Sequence, residues 1–209
     1  MNENTDKLTG CLKTDLFSGD FGGLTELADK EYGDLTLVML DLDNLKYLND
    51  NHGHEAGDEI FRVIGKILLE LPAKDYRVYR YSGDCFALLF PDCEKEEAFL
   101  VIENARKSIA EHKVCAEYKM TVSAGIATYP EDGAREGDIL RKAEGALYRA
   151  KKAGKNKIAL AKEEKLVTKT AHYTVEQLKK LKELASEREI SEAVLMREAL
   201  DELLKKYNE

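Results

Sequence analysis

An almost unbroken apolar run, Leu35-Thr36-Leu37-Val38-Met39-Leu40, stops abruptly at Asp41-Leu42-Asp43. A run of this length bounded by acids reads as a central strand buried on both faces, because a half-exposed strand would alternate apolar with polar residues. Its C-terminal end delivers Asp41 and Asp43 to a sheet edge, where only one of the two is expected to face a given site while the other caps the next segment. Asp43 or Asn44 is then the N-cap of a short helix carrying Lys46, and the first amides of that helix are placed to meet phosphate oxygens.

The segments that follow read as partners for this strand. Residues 57–71 carry Ile60, Ile64, Ile67, Leu68 and Leu71 at helical spacing, a stripe that has to pack on a sheet. Pro72 and Ala73-Lys74-Asp75 mark the turn into residues 76–81, where apolar and charged residues alternate as in a strand. Ser82-Gly83-Asp84-Cys85 reads as a hairpin turn and residues 86–90 as the returning strand. Paired beside the first strand, they would bring Asp84 near Asp41. Residues 94–112 form an amphipathic helix and residues 119–128 another strand. Residues 137–153 form a helix with Ile139, Ala143, Ala146 and Ala150 along one side and Gly154 as its C-terminal cap, and residues 158–161 complete the sheet.

A chain of 209 residues, 44% of them apolar, can bury one good core and carry a small appendage. It has no apolar stretch long enough to cross a membrane and no basic-then-apolar leader, so a cytoplasmic protein is expected. Cys11, Cys85, Cys93 and Cys115 form no CxxC pair and meet no histidines at zinc-finger spacing, which points to reduced structural thiols. A net charge of -8 argues against binding of nucleic acid by bulk electrostatics. It leaves room for a local basic site, and Arg149-Ala150-Lys151-Lys152-Ala153-Gly154-Lys155-Asn156-Lys157 is such a cluster.

The order Leu40-Asp41-Leu42-Asp43-x-Leu45-Lys46-x-x-Asn49-Asp50-x-x-Gly53-His54-x-x-Gly57-Asp58, followed by Arg80-Tyr81-Ser82-Gly83-Asp84-Cys85-Phe86, resembles the GGDEF domain of diguanylate cyclases. Asp6-x-Leu8-Thr9-Gly10 resembles the entry of that domain, and Ala143-Glu144-x-Ala146-Leu147-Tyr148-x-Ala150-Lys151-x-x-Gly154-Lys155-Asn156 its closing motif. The resemblance implies an α/β (α+β) palm-like nucleotidyl cyclase fold over residues 1–161, with a central, mostly antiparallel sheet flanked by helices. It also implies the family's chemistry, in which two GTP molecules condense to cyclic di-GMP with Mg²⁺ or Mn²⁺. Gly19, Gly22 and Gly23 interrupt what the family builds as a longer first helix, so a shortened helix or loop over the site is expected.

Carried over residue by residue, the resemblance places the metal at Asp41, Leu42 and Asp84. Asn49 and Asp58 would read the Watson-Crick edge of guanine, with discrimination of about 1–3 kcal/mol per contact by analogy with base readout. Leu45 and His54 join the nucleotide site, and Lys46, Lys151 and Lys155 serve as phosphate ligands. The ordinary alternatives are exposed loop acids at Asp41 and Asp84, and a solvated helix end at the basic cluster. The chain also departs from the pattern. Lys13-Thr14 stands for Asn-Arg, Ser82 for the first glycine of the signature, and Lys155 for arginine. Ala73 and Tyr76 stand in the inhibitory product site, so product feedback is not expected there. Cys85 stands for the glutamate of the signature, a metal ligand that helps activate the attacking hydroxyl. A thiol is a soft, poor Mg²⁺ ligand, so Cys85 marks a degenerate catalytic position beside Asp41 and Asp84.

From residue 162 the chain changes character. A short strand over residues 165–173, a Thr174-x-x-Gln177 capping box and two amphipathic helices cannot enclose a core alone, which predicts an obligate partner such as a second copy. Leu178, Leu181, Leu184 and Ala185 stripe the first helix, and Val194, Leu195, Ala199, Leu203 and Leu204 the second. Residues 162–209 resemble the β-α-α ribbon-helix-helix DNA-binding family. That register implies groove-facing Thr168, Thr170 and His172, and Ser191 at a phosphate-binding helix start. A dimerisation hairpin that binds nothing is the alternative. Two functional classes follow. One is a nucleotide-responsive, homodimeric transcriptional regulator with a catalytically impaired GGDEF domain and double-stranded DNA as partner. The other is an active divergent cyclase whose C-terminal module serves dimerisation.

Overall fold

The computed structural model describes residues 3–31, 33–162, 171–187 and 192–207. The chain divides into two compact units, Met1–Glu164 and Lys165–Glu209. The first unit runs β1 (Leu12–Lys13), a single 3-10 turn, α1 (Phe17–Glu31), β2 (Leu35–Asp43), α2 (Leu45–His52), α3 (His54–Leu69), β3 (Arg77–Ser82) and β4 (Cys85–Pro91). It continues through α4 (Lys95–Glu111), α5 (Lys113–Glu117), β5 (Thr121–Tyr129), α6 (Glu136–Lys152) and β6 (Ile158–Leu160). One sheet holds the strands in the order β1-β3-β4-β2-β5-β6. The inner pairs β3-β4, β4-β2 and β2-β5 are antiparallel, and the outer pairs β1-β3 and β5-β6 are parallel. The mostly antiparallel sheet with flanking helices is therefore present, and α5 is an addition that no periodicity announced.

The central position of β2 follows from its side chains. On one face Val38, Leu40 and Leu42 pack with Ile60, Ile64 and Leu68 of α3 and with Ile102 and Ile109 of α4. On the other, Leu35, Leu37 and Met39 meet Phe17 and Phe21 of α1 and Ile139, Ala143 and Leu147 of α6. Each such side chain contributes roughly 1.5–3 kcal/mol when fully buried, so a strand apolar on both faces is stable only between two helical layers. Gly125 of β5 is where α6 comes closest to the sheet. A Cβ there would collide with the carbonyl of Ala143 and the amide of Leu147.

Two expectations are corrected. The first helix is not shortened: α1 runs unbroken from Phe17 to Glu31 with Gly19, Gly22 and Gly23 inside it. Three helical glycines cost roughly 0.5–1 kcal/mol each relative to alanine, and burial of Phe17 and Phe21 one turn apart outweighs that. Nor do Asp41 and Asp43 part company. Residues two apart on a strand share a face, and both lie on the α6 side of the sheet. Asp43 does not cap α2. It is 1% exposed and accepts hydrogen bonds from Thr121 Oγ1 at 2.8 Å, Ser123 Oγ at 2.8 Å and the Asn156 amide at 2.9 Å. Asn44 stands at the N-cap position with φ 62°, and its side chain makes no capping bond.

The second unit contains α7 (Val175–Glu187) and α8 (Glu192–Tyr207). The capping box forms as expected: the Gln177 amide donates to Thr174 Oγ1 at 3.2 Å, and the Thr174 amide donates to Gln177 Oε1 at 2.9 Å. Ala185 and Leu195 are buried, whereas Leu178, Leu184, Leu200, Leu203 and Leu204 remain exposed. Of the strand expected over residues 165–173, only Ala171, His172 and Tyr173 are described, and they belong to no strand.

Open space and close approach give alanine opposite signs in this fold. Nothing lies within 4 Å of a Cβ added at Gly22 or Gly23. Gly22→Ala and Gly23→Ala should each stabilise the chain by about 0.5–1 kcal/mol. Gly125→Ala should destabilise it by about 1–3 kcal/mol through overpacking. Urea unfolding midpoints at constant m-value measure all three.

Candidate functional site

The tips of β2 and β4 meet because register puts Asp41 directly opposite Cys85. Opposed residues on antiparallel strands share a face, with Cβ atoms about 4.5–5.5 Å apart, so the carboxylate and the thiol are neighbours. The two-residue turn before β4 carries Asp84, whose carbonyl accepts the Leu42 amide at 3.1 Å and fastens the turn to β2. Arg80 braces the same turn from the other side. Its guanidinium lies 3.5 Å above the Phe61 ring centroid and 5.0 Å from that of Phe86, and it donates to the Gly83 carbonyl.

The last turn of α6, the loop after it and the start of α2 supply the cations. Lys151 forms an ion pair with Asp41, whose side chain is 14% exposed. Burial raises the Asp41 carboxyl above its ordinary range. The Lys151 ammonium pulls it back, and the Asp84 and Asp43 carboxylates push it further up. Lys155, with φ 61°, turns back to donate to Asn44 Oδ1 at the start of α2. Lys46 is exposed on α2. The Cys85 thiol is pushed up to about 12, first by burial and then by the negative charges of Asp41, Asp84 and Glu144. It is a neutral thiol, 7% exposed, whose Sγ donates to the Phe86 carbonyl at 3.7 Å.

A second group of expected residues gathers where α2 turns into α3. Asn49 and Leu45 both face Gly57, where a Cβ would collide with Asn49 Oδ1 and lie 3.6 Å from Leu45 Cδ1. Glycine at 57 is therefore what allows the Asn49 amide to sit there. Asn49 Oδ1 is buried without a hydrogen-bond partner, a state that costs about 1–3 kcal/mol unless something donates to it. His54 opens α3 exposed, and Asp58 is half-exposed with Arg62 at 4.0 Å. The structure thus brings Asp41, Asp84, Cys85 and Lys151 together at the strand tips, and Leu45, Asn49 and Gly57 together on the helices. Asn44, held by Lys155, joins the two groups along the chain.

A divalent cation does not fit this donor set as it stands. Asp41 is already paired with an ammonium, and the residue opposite it is a neutral thiol rather than a hard oxygen. Leu42 buries its side chain in the core and has only its carbonyl to offer. Among the described residues no three or more histidine, cysteine, aspartate or glutamate side chains are grouped to hold a metal ion.

Three residues take a part in this geometry that the sequence reading does not assign to them. Asp43 organises the α6-β6 connection, Arg80 braces the turn, and Glu144, whose carboxyl is raised by burial, faces Cys85 from α6. The spacing of Glu144 and Lys151, two helical turns apart, was the available signal. In the positions of the product site, Tyr76 accepts the Leu71 amide at 2.9 Å and stacks on Phe90, so it belongs to the packing. Of the groove-facing residues expected in the C-terminal unit, His172 is exposed, while Thr168, Thr170 and Ser191 lie outside the described residues.

A palm-like sheet with acids at adjoining strand tips, a basic helix end above them and a buried amide on the next helix defines a recognisable class of nucleotide-handling domain. Residues 3–157 match the family model "Diguanylate cyclase, GGDEF domain", and the chain belongs to that family. Residues 165–209 match the antitoxin-like ribbon-helix-helix family. The chain is 34% identical over 159 residues to diguanylate cyclase VdcA of Vibrio cholerae, an alignment covering 73% of this chain and 45% of that protein. It is 31% identical over 158 residues to diguanylate cyclase DgcM of Escherichia coli, covering 75% and 38% respectively. The alignments thus span less than half of these relatives' own length. The GGDEF domain of DgcB from Caulobacter crescentus, solved in complex with c-di-GMP, superposes with a TM-score of 0.71 at 25% identity, covering 78% of this chain and 96% of that one. The active GGEEF domain of a Vibrio cholerae diguanylate cyclase superposes with a TM-score of 0.69 at 26% identity, covering 74% and 99%.

A thiol pushed up to about 12 is almost wholly protonated at pH 8, and only the thiolate alkylates. Iodoacetamide at about pH 8 should leave Cys85 unmodified in the folded chain and label it in urea. Peptide mass spectrometry reads the outcome, with the more exposed Cys93 labelled ahead of it.

Proposed function

We propose that the first unit binds a guanine nucleotide and cyclises it poorly or not at all. In this reading the chain is a homodimeric, nucleotide-responsive regulator that contacts double-stranded DNA through its C-terminal unit. The observation that carries the first half is Cys85 opposite Asp41, a neutral thiol where the family signature has a glutamate, in a chain that keeps Asn49, Asp58, Lys151 and Lys155. The orphaned Asn49 oxygen supports base recognition, because the N1-H and amino group of guanine are donors and adenine presents a different edge. Lys151 and Lys155 at the end of α6 support phosphate binding.

What supports the second half is the match of residues 165–209 to a ribbon-helix-helix family, with exposed leucines on α7 and α8 that a second copy would cover. The chain's net charge of -8 makes DNA contact a local property of that unit rather than of the whole chain. No described helix is long and apolar enough to cross a membrane.

The relatives named as diguanylate cyclases favour a second reading, an active divergent cyclase dimerised by the same unit. Incubation with GTP and Mg²⁺ or Mn²⁺, followed by nucleotide chromatography, separates the two. The first reading expects turnover at least about a thousandfold below an intact cyclase, equivalent to ~4 kcal/mol at the transition state. It also expects the full chain to bind operator DNA with an affinity that falls steeply with salt. Rapid formation of cyclic di-GMP would establish the second reading.

A further inference from the structure

We infer that this chain takes up GTP without a divalent cation, the Lys151 ammonium on Asp41 standing where a metal would otherwise neutralise the strand tips. The inference rests on the proposal that the site binds a guanine nucleotide, and it concerns how that site manages charge.

Three carboxylates at adjoining strand tips could not stay ionised together without a cation between them, because like charges at such separations repel strongly. Here the third position holds a thiol, directly opposite Asp41. What remains is Asp41 paired with Lys151, and Lys155 held at the adjoining start of α2 by Asn44. With a thiol in place of the third carboxylate, the Lys151 ammonium is the cation that Asp41 meets. An entering Mg²⁺ would have to displace an ammonium from Asp41, whose side chain is 14% exposed. Opposite Asp41 it would find a soft sulfur in place of a carboxylate, with Asp84 and the Leu42 carbonyl its remaining hard donors. Both terms disfavour the metal. A triphosphate still meets positive charge, since Lys46 is exposed at the start of α2 and Lys155 is held by the neutral Asn44 amide. Lysine ammonium groups are point charges that can turn from an amide oxygen to a phosphate without a change of coordination geometry.

The experiment is a calorimetric titration of the full chain with GTP, once in excess Mg²⁺ and once in EDTA. Affinities agreeing within about threefold are expected, and a loss of about tenfold or more in EDTA overturns the inference while leaving the binding proposal intact. Absence of binding in both buffers overturns the binding proposal and this inference with it. A second readout needs no nucleotide. The electron paramagnetic resonance signal of aqueous Mn²⁺ should persist when the full chain is added, and its loss on addition of the unaltered chain would count against the inference. Cys85→Glu, which restores a hard oxygen opposite Asp41, should quench that signal and make GTP affinity depend on the cation. If Cys85→Glu does not fold, the titrations and the resonance of the unaltered chain decide the matter.

Discussion

A carboxylate with 1% exposure survives in a protein interior only if hydrogen bonds replace the water it has lost. Asp43 meets that demand by drawing Thr121 and Ser123 from β5 and the Asn156 amide from the α6-β6 connection. Two separate parts of the chain are thereby fixed to the end of β2. The end of α6 has little freedom once Asn156 is held, and the Gly125 contact presses the middle of the same helix onto β5. Lys151 lies between those two constraints and so lands on Asp41. The pairing at the candidate site is a consequence of how the helix is anchored on either side of it.

The features legible in the sequence were those written in a single period. The apolar run that became β2, the Ile60-Ile64-Leu68 stripe of α3 and the Thr174-Gln177 capping box each depend on residues close together in the chain. Asp84 beside Asp41 was also legible, since a short turn between paired strands admits few registers. What escaped depended on partners distant in sequence. Glycines argued locally against α1, while Phe17 and Phe21 found their cover on Tyr79 and in the face of the sheet. The partners of Asp43 lie about eighty residues and more further along the chain, and no local pattern names them. That Asp41 and Asp43 share a face was available from their spacing alone.

The two groups of the candidate site differ in how they are supported. At the strand tips, main-chain pairing sets the positions of Asp41, Asp84 and Cys85, so side-chain changes there leave the geometry in place. On α2 and α3, the Asn49 amide depends on the missing Cβ at Gly57, so the helices themselves were shaped around it. A position that leaves a buried acceptor unpaired, at about 1–3 kcal/mol, is hard to explain by packing alone. Strain or unsatisfied groups of this kind accumulate where a ligand completes the structure.

The same contrast explains how a residue so close to the reacting end of the family's site can change without loss of the fold. Cys85 begins β4 and packs on the side of the sheet occupied by Ala87, Leu89 and Met39. A glutamate there would bring a third negative charge beside Asp41 and Asp84 and would need compensation from outside the strand. A thiol needs none, since a cysteine behaves in a core as a small apolar residue. The substitution therefore moves the strand tip toward the ordinary economy of a protein interior and away from the destabilised, charge-crowded arrangement that catalysis exploits. With a thiol opposite Asp41, the Lys151 ammonium is matched to that one carboxylate, and the main-chain pairing of β2 with β4 sets the rest of the geometry.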